Sequence, residues 1–279
     1  MDLLAMLGSR EAPDGLWRFL LGRSLHGAFG GVNGGVLAAA GLIAARPLAP
    51  GRVPAALDAR FLRGFPGPAR AEPTRLHHGR TLSCVSVDLL LEDGRLGSRA
   101  TVSLVDPEAL EPLDDTGDTR DASWDRYASG RPWPRGVGPT AIPLVETFGP
   151  RAVGRDERGI ATALALPCEV AGRGAEAACI AADVSVGPPV ARALRGRSVP
   201  IPNPDLSLRF ACQAGISAEL VGVARVDRIE GGLALTRIEV HAGGSLVATG
   251  VSSTTLLAIS GHGAGSERHL TRPVGHSPG

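Results

Sequence analysis

One long apolar stretch dominates the first part of the chain. Residues 25–45 open with glycines and continue as an almost wholly apolar run that ends at Arg46-Pro47. The unbroken part of this run, residues 32–45, is shorter than the roughly 20 residues that a membrane-spanning helix needs. We therefore predict a buried helix, around which a sheet folds, and whose first glycines allow close backbone approach.

Alternating apolar and polar positions predict β-strands on both sides of the middle of the chain. In the first half, the predicted strands span residues 55–63, 71–76, 81–91 and 95–104, with a hairpin turn at Glu92-Asp93-Gly94. In the second half, a strand at 160–170 precedes a helix at 175–194 that Gly187-Pro188-Pro189 is expected to interrupt. The last predicted strands span residues 205–210, 217–227, 233–240 and 245–257.

The two halves repeat each other at an offset of about 150 residues. Arg60-Phe61 matches Arg209-Phe210, and residues 92–96 match residues 242–246. A helix followed by hairpin-connected strands, found twice, predicts two α+β units with antiparallel sheets. We expect one unit in residues 1–106, a linker in 107–139, a second unit in 140–260 and a flexible tail in 261–279.

Composition excludes several classes of function. The formal net charge is +1, which gives no electrostatic footprint for nucleic acid or an anionic membrane. The four cysteines are widely spaced and form no CxxC pair, so a metal or redox site is not expected. No basic segment precedes the first leucines, so we predict a cytoplasmic protein without a secretory signal.

Several segments resemble the type II acyl-CoA thioesterases. Phe29-Gly30-Gly31 and residues 60–64 and 79–83 are similar to their N-terminal half, and residues 205–210 and 244–248 to their C-terminal half. The resemblance covers roughly residues 15–260. It implies a tandem (double) hotdog fold, in which an antiparallel sheet wraps each of two central helices.

The resemblance also implies a chemistry. Members of this family hydrolyse acyl-CoA thioesters without a covalent nucleophile or a metal, by a water that an Asp, a Thr or Ser and a Gln orient. Asp205 falls on the position of the Asp and Ser252 on that of the Gln. Two histidines of related proteins, one in a first-half strand and one at a helix start, are replaced here by Asp58 and Asn33.

The residues themselves leave each role open. Asp205 would be a general base if it faced the groove between helix and sheet, and otherwise caps a turn. Ser252 and Thr254 share one face of the final strand, where they either position water or a thioester carbonyl, or face solvent.

The start of the first helix and two further carboxylates are candidates for substrate binding. Asn33, with Gly34 and Gly35, either presents helix N–H groups to a developing oxyanion or simply caps the helix. Asp183 is expected inside the second helix, where it needs a partner, either an arginine or, in proton transfer, the substrate. Asp58 is open to the same two interpretations.

These observations predict a hydrolase of acyl-CoA or acyl-carrier-protein thioesters, with Asp205, Ser252 and Thr254 as catalytic residues. No cofactor is expected beyond the coenzyme A of the substrate, and no nucleic-acid or membrane partner. A dehydratase, isomerase or cyclase acting on the same ligand class, or an inactive acyl-binding protein, is the alternative. Because hotdog units bury sheet edges by pairing, we expect a homodimer or a higher oligomer. Basic residues that could contact the phosphates of coenzyme A are Arg63, Arg75 and Arg80.

Overall fold

The structure is a computed structural model that describes residues 1–111, 129–133, 141–156, 159–197, 199–211, 216 and 218–258. The α-helices in these ranges are α1 (Leu3–Met6), α2 (Gly34–Ala45), α3 (Pro143–Phe148) and α4 (Gly174–Ala193). The strands of the first half are β1 (Ser9–Glu11), β2 (Trp17–Phe19), β3 (Val53–Phe61), β4 (Ala69–His78), β5 (Leu82–Leu90) and β6 (Leu96–Val105). Those of the second half are β7 (Arg131–Pro132), β8 (Arg151–Asp156), β9 (Gly159–Ala165), β10 (Asp205–Phe210), β11 (Glu219–Glu230), β12 (Leu233–Ala242) and β13 (Ser245–Thr255).

Helix α2 is the buried helix that the sequence predicts. Asn33 is its N-cap, and its side-chain oxygen accepts a hydrogen bond from the Val36 N–H at 3.3 Å. Every residue of the helix after Gly34 is buried. The helix gives way to a short 3₁₀ turn at Arg46–Leu48, where Pro47 cannot donate a backbone hydrogen bond.

All thirteen strands named above form one antiparallel sheet, in the order β1-β2-β4-β5-β6-β3-β10-β13-β12-β11-β9-β8-β7. Its centre is the pairing of β3 with β10, in which Asp58 lies opposite Ser207. Outward from this pair, β6 and β13, then β5 and β12, then β4 and β11 occupy matching positions. The repeat in the sequence is thus a repeat in the sheet, and the two halves are joined edge to edge at β3 and β10.

The two long helices pack against each other on the inner face of this sheet and run antiparallel. A Cβ atom added to Gly35, near the start of α2, would lie 2.8 Å from the Ile180 Cα and 2.9 Å from the Asp183 Cβ of α4. Arg46, just beyond α2, instead contacts Glu176 in the first turn of α4. The start of α2 therefore lies against the middle of α4, at a contact that only glycine allows.

The structure corrects the second half of the sequence prediction in two places. Helix α4 continues through Pro188 and Pro189 to Ala193, although both prolines lack the N–H that would bond to a carbonyl one turn earlier. Residues 141–156 contain α3 and β8, which the sequence analysis did not predict. Close packing of α4 in the core outweighs the local preference for a break there.

The predicted segment bounds fall partly on residues that the structure does not describe. Within the predicted linker 107–139, only residues 107–111 and 129–133 are described, and the predicted tail 261–279 lies outside the described residues altogether. The bounds of the two units remain predictions. None of the helices in the described part of the chain is long and apolar enough to cross a membrane.

Candidate active site

A pocket of about 740 Å³ opens at the N-terminus of α2. Its floor is formed by α2 and by the second half of α4, and its rim by the segment after β3 and by the loop before β10. Most of the wall is apolar, with large side chains at Leu37, Phe61, Phe65, Trp133, Ile142 and Leu144. The polar side chains that line it include Asn33, Arg63, Asp183, Asn203 and Thr255.

Asp183 is the buried carboxylate of this pocket. It projects from the middle of α4 toward the start of α2 and is only 7% exposed. The Asn33 Nδ2 donates to Asp183 Oδ2 at 2.6 Å, and the Asn203 Nδ2 donates to Asp183 Oδ1 at 3.4 Å. Both partners are neutral amides, so the carboxylate has hydrogen-bond donors but no counter-charge among these contacts.

The surroundings of Asp183 shift its proton affinity in both directions. Burial raises the pKa of Asp183, because the charged form loses its hydration in the apolar wall. The Asn203 amide, the backbone N–H groups of Gly35 and Gly34 and the Asn33 amide lower the pKa, and burial outweighs them. A carboxyl group with a raised pKa in a pocket is the property expected of a general base that works near neutral pH.

Thr254 extends this network by one residue. Its hydroxyl is fully buried and donates to Asn203 Oδ1 at 2.7 Å, which fixes the Asn203 amide with its nitrogen toward Asp183. The chain of contacts therefore runs from β13 through the loop before β10 to α4 and then to the N-cap of α2. Thr254 acts on Asp183 through Asn203, and does not itself line the pocket.

Asp205, the predicted general base, lies outside this pocket. Leu206 and Leu208 of β10 are buried against the helices, so alternation places Asp205 on the opposite face of the sheet. Its Oδ1 accepts from the Ser253 N–H at 2.7 Å, and its Oδ2 lies 4.0 Å from the Arg60 Nη1. Asp205 is absent from the pocket lining, so the geometry gives it a structural position rather than that of the predicted base.

Ser252 is likewise outside the pocket lining. It is fully buried, and its hydroxyl donates to the main-chain oxygen of Asp205 at 2.8 Å. Ser252 and Thr254 do share the inner face of β13, as predicted, but only Thr254 is connected to Asp183.

Of the residues predicted to bind substrate, Asp58 is the one that lies away from the pocket. It is partly exposed on β3 and pairs with Arg209 across the sheet, with 3.4 Å between Oδ1 and Nη1. Asn33 and Gly34 line the pocket, and Gly35 lies beneath it at the contact of the helices. Asn33 combines the two interpretations that the sequence left open, since it caps α2 and also holds Asp183.

In the described part of the chain, Asp183 has no arginine partner, and Arg63 of the arginines considered for phosphate contacts lies at the pocket. The partners of Asp183 are Asn33 and Asn203, and no arginine of the described residues lies within ion-pair distance of it. Of the arginines considered for phosphate contacts, Arg63 lines the pocket, whereas Arg75 donates to the Leu48 carbonyl. Within the described residues, no group of three or more His, Cys, Asp and Glu side chains is arranged to hold a metal ion.

Sequence reasoning did not find Asn203. It lies in the loop between α4 and β10, where no periodic pattern shows which way a side chain points. The only signal was its place directly before Pro204, within two residues of Asp205.

Comparison with known proteins agrees with this architecture. Residues 23–105 match the family model of the acyl-CoA thioesterase N-terminal domain. A search of the curated proteins finds no match to this chain. Among solved structures, the tesB protein of Mycobacterium avium subspecies paratuberculosis superposes with a TM-score of 0.69 at 20% identity, over 91% of this chain and 98% of that chain. Residues 23–105 thus resemble the acyl-CoA thioesterase N-terminal domain, and the solved structure shares the fold of the chain.

Two further structures support the fold. Acyl-CoA thioesterase II TesB2 of Mycobacterium marinum superposes with a TM-score of 0.66 at 16% identity, over 93% of this chain and 98% of that chain. A conserved protein with the hot dog fold from Alicyclobacillus acidocaldarius gives 0.69 at 22% identity, over 89% and 96%. The fold of this chain is the tandem hotdog, in which one continuous sheet wraps α2 and α4.

Proposed function

We propose that this protein hydrolyses acyl thioesters of coenzyme A or a carrier protein, with Asp183 as the general base. The observation that carries the proposal is the position of Asp183, a buried carboxylate with a raised pKa at the N-terminus of a helix, inside a pocket of suitable size. The match of residues 23–105 to an acyl-CoA thioesterase domain supports the same reaction.

The start of α2 supplies the electrostatic part of the mechanism. A helix N-terminus carries a partial positive charge, which stabilises negative charge that develops on a carbonyl oxygen. Gly34 has no side chain to block the approach, and a Cβ atom there would lie 2.5 Å from the Phe61 ring. We place the thioester carbonyl beside Gly34, where the partial positive charge of the N-terminus of α2 faces its oxygen.

The reaction then proceeds in two steps. Asp183 removes a proton from a water molecule while the water oxygen bonds to the thioester carbon, and the carbonyl oxygen becomes an oxyanion. The oxyanion collapses, the carbon–sulfur bond breaks, and the sulfur leaves with the proton that Asp183 holds. The products are a carboxylic acid and a free thiol, and Asp183 returns to its ionised form.

The wall of the pocket fits an apolar acyl group. Phe61, Phe65 and Leu37 lie close to the start of α2, and Trp133, Ile142 and Leu144 continue the apolar surface. Contact with these side chains removes apolar acyl surface from water, which stabilises binding by about 25 cal/mol per Å² of buried area.

The proposal is tested by assaying a panel of acyl-CoAs for thiol release and for the mass of the acyl product. Asp183→Asn should lower kcat about 10²–10⁴-fold, the usual contribution of a general base. Asp58→Asn is the matched control, because Asp58 lies outside the pocket, and it should retain activity. Hydrolysis in ¹⁸O-labelled water under single-turnover conditions should place the label in the acid and not in Asp183.

Other outcomes assign other functions. A change in acyl mass without thiol release would indicate a dehydratase, isomerase or cyclase that uses Asp183 to move protons. Binding of acyl thioesters with neither change would indicate an acyl-binding protein, and an absence of binding would refute the ligand class. The cytoplasmic location and the assembly into a dimer or higher oligomer remain predictions alongside this function.

A further inference from the structure

Asparagine occurs at only two positions of the sequence, and both side chains contact the same carboxylate. The Asn33 Nδ2 lies 2.6 Å from Asp183 Oδ2, and the Asn203 Nδ2 lies 3.4 Å from Asp183 Oδ1. Gly34 follows Asn33, whereas Pro204 follows Asn203. An asparagine side chain deamidates when the backbone nitrogen of the next residue displaces its amide nitrogen, and the attacking nitrogen must have a proton to lose. Proline has none, so of the two only Asn33 is open to this reaction.

The step from Asn33 to Gly34 is also sterically open. Glycine has no Cβ atom to hinder the five-membered ring that joins its nitrogen to the side-chain carbonyl carbon of Asn33. Packing keeps glycine at this position, because a Cβ atom there would lie 2.5 Å from the Phe61 ring. A sequence that favours deamidation is therefore built into the start of α2 by the packing of the fold.

The helix that Asn33 caps assists the attack on its side chain. The Asn33 Oδ1 accepts a hydrogen bond from the Val36 N–H at 3.3 Å, which draws electron density away from the carbonyl carbon. Negative charge that develops on Oδ1 lies at the N-terminus of α2, whose partial positive charge stabilises it. The capping contact is thus also an oxyanion contact for the side chain itself.

Asp183 faces both nitrogens that exchange protons in this reaction. Its Oδ2 accepts from Asn33 Nδ2, the nitrogen that leaves, and the N–H of Gly34, the nitrogen that attacks, is among the hydrogen-bond donors that lower the pKa of Asp183. Burial raises that pKa more strongly. A carboxyl group whose pKa is shifted toward neutrality can both accept a proton and return it. Helix capping alone requires neither contact.

We propose that Asn33 deamidates in the folded protein, with Asp183 as the group that transfers the proton, so that residue 33 becomes aspartate or isoaspartate. The Gly34 nitrogen bonds to the Asn33 Cγ as its proton passes to Asp183. Asp183 then gives a proton to Nδ2, the Cγ–Nδ2 bond breaks, and ammonia leaves. Water opens the cyclic imide at Cγ to give aspartate, or at the main-chain carbonyl carbon to give isoaspartate.

Either product alters the active-site pocket permanently. Aspartate places a second carboxyl group within hydrogen-bond reach of Asp183, and two carboxyl groups so close together share a proton. Isoaspartate adds a carbon to the main chain at the cap of α2. Deamidation is therefore an ageing step that weakens a reaction for which Asp183 must be ionised, and this consequence alone rests on the proposed function.

Peptide mass mapping of the aged protein tests the proposal. In ¹⁸O-labelled water, the peptide that contains residue 33 should lose its amide nitrogen and gain one labelled oxygen, whereas the peptide that contains Asn203 should stay unchanged. Asp183→Asn should slow the conversion of residue 33 at least about 10²-fold, the lower end of the contribution of a general acid–base group. Asp58→Asn, which changes a partly exposed carboxylate outside the pocket, should convert as wild type does.

The urea-unfolded wild-type chain separates the effect of the fold from that of the sequence. It contains Asn33-Gly34 without Asp183 beside it, so folded wild type should convert faster, and this comparison holds even where Asp183→Asn does not fold. Asn33→Asp supplies the chromatographic standard for the aspartate product.

Two results would refute the proposal. One is an Asn33 that converts more slowly in the folded chain than in the unfolded one, which would show that the helix cap protects it. The other is a folded Asp183→Asn variant that converts at the wild-type rate. If residue 33 converts as expected and freshly purified protein hydrolyses no acyl thioester, the proposed function fails and the modification site stands.

Discussion

The two central helices begin in opposite surroundings, although each half of the chain contributes one. Helix α2 begins at a capped end that opens into the active-site pocket, and the carboxylate in front of it is Asp183, from the other helix. Helix α4 begins at Arg173, which makes no side-chain cap, and the carboxylate in its first turn is its own Glu176. Both ends hold a carboxylate, as the partial positive charge of a helix N-terminus favours.

The partners of the two carboxylates differ in kind. Glu176 is fully buried and accepts from Arg46 Nε at 2.6 Å and Nη2 at 2.9 Å, with Arg173 Nη1 at 3.2 Å. Asp183 is held by neutral amides. Two guanidinium groups occupy the Glu176 carboxyl group, whereas amides leave Asp183 free to exchange a proton with a bound molecule.

The space in front of the two helices differs as well. Ile216 packs directly on Gly174 at the start of α4, so closely that a Cβ atom there would collide with it. At the start of α2, the corresponding volume is the pocket. The duplicated fold therefore supplies two helix N-termini. At the start of α4, the Arg46–Glu176 ion pair and the Ile216 side chain fill the space that is a pocket at the start of α2.

The largest expected effect comes from breaking the Arg46–Glu176 ion pair at the start of α4. Arg46→Ala leaves the fully buried Glu176 with Arg173 alone, so we expect a loss of stability at the lower end of the about 3–5 kcal/mol typical of a broken buried pair. Activity should change little, since Asp183 lies seven residues further along α4, or about 10 Å. Urea denaturation with kcat measured in parallel checks both expectations. Arg95→Ala, which breaks an exposed pair with Asp93, is the control, and an equal loss of stability there would contradict the argument.

A smaller effect is expected from removing the Thr254–Asn203 hydrogen bond beside the pocket at the start of α2. Thr254→Val removes the hydroxyl that fixes Asn203, and Asn203 is the first of the groups that lower the pKa of Asp183. The pKa of Asp183 should therefore rise, and because the base must be ionised, the acidic limb of the kcat/KM profile should move to higher pH. Stability should fall by about 1 kcal/mol for the lost hydrogen bond.

The matched control for Thr254→Val is Ser253→Ala, on the same strand but facing the other side of the sheet. It should leave the pH profile unchanged. An acidic limb that stays in place in Thr254→Val would show that Thr254 does not position Asn203, whatever the change in stability.

Periodicity accounts for what the sequence could predict. The apolar run gave the buried helix α2 and its cap at Asn33, and alternation gave the main strands near their observed bounds, because both signals are local. Alternation also contained the evidence against Asp205 as the base, since Leu206 and Leu208 mark the inner face of β10. A residue carried over from a family pattern should be checked against the face on which its own strand places it.

The active site depends on contacts that are not local. Asn33 and Asp183 are 150 residues apart, and only the antiparallel packing of α2 on α4 brings them together. Asn203 can be recognised as a site residue only in the folded chain, where the pairing of β10 with β13 brings the Thr254 hydroxyl to its side chain. Helix α4 continues through Pro188 and Pro189 because its packing in the core outweighs the local preference for a break, and no local signal in the sequence shows that.

The smallest expected effect decides between the two candidate bases. Asp205→Asn keeps a side-chain oxygen that can accept the Ser253 N–H, and removes a partly exposed charge 4.0 Å from Arg60. Because Asp205 faces away from the helices and the pocket, we expect kcat/KM within about threefold of wild type and a stability change below about 1 kcal/mol. A loss of kcat as large as that of Asp183→Asn would return the base to Asp205, and would require the reactive end of the substrate to bind on the outer face of the sheet. Asp183→Asn and Asp205→Asn thus compare a carboxyl group on the helix-covered side of the sheet with one on the outer face. The measured quantity is kcat/KM.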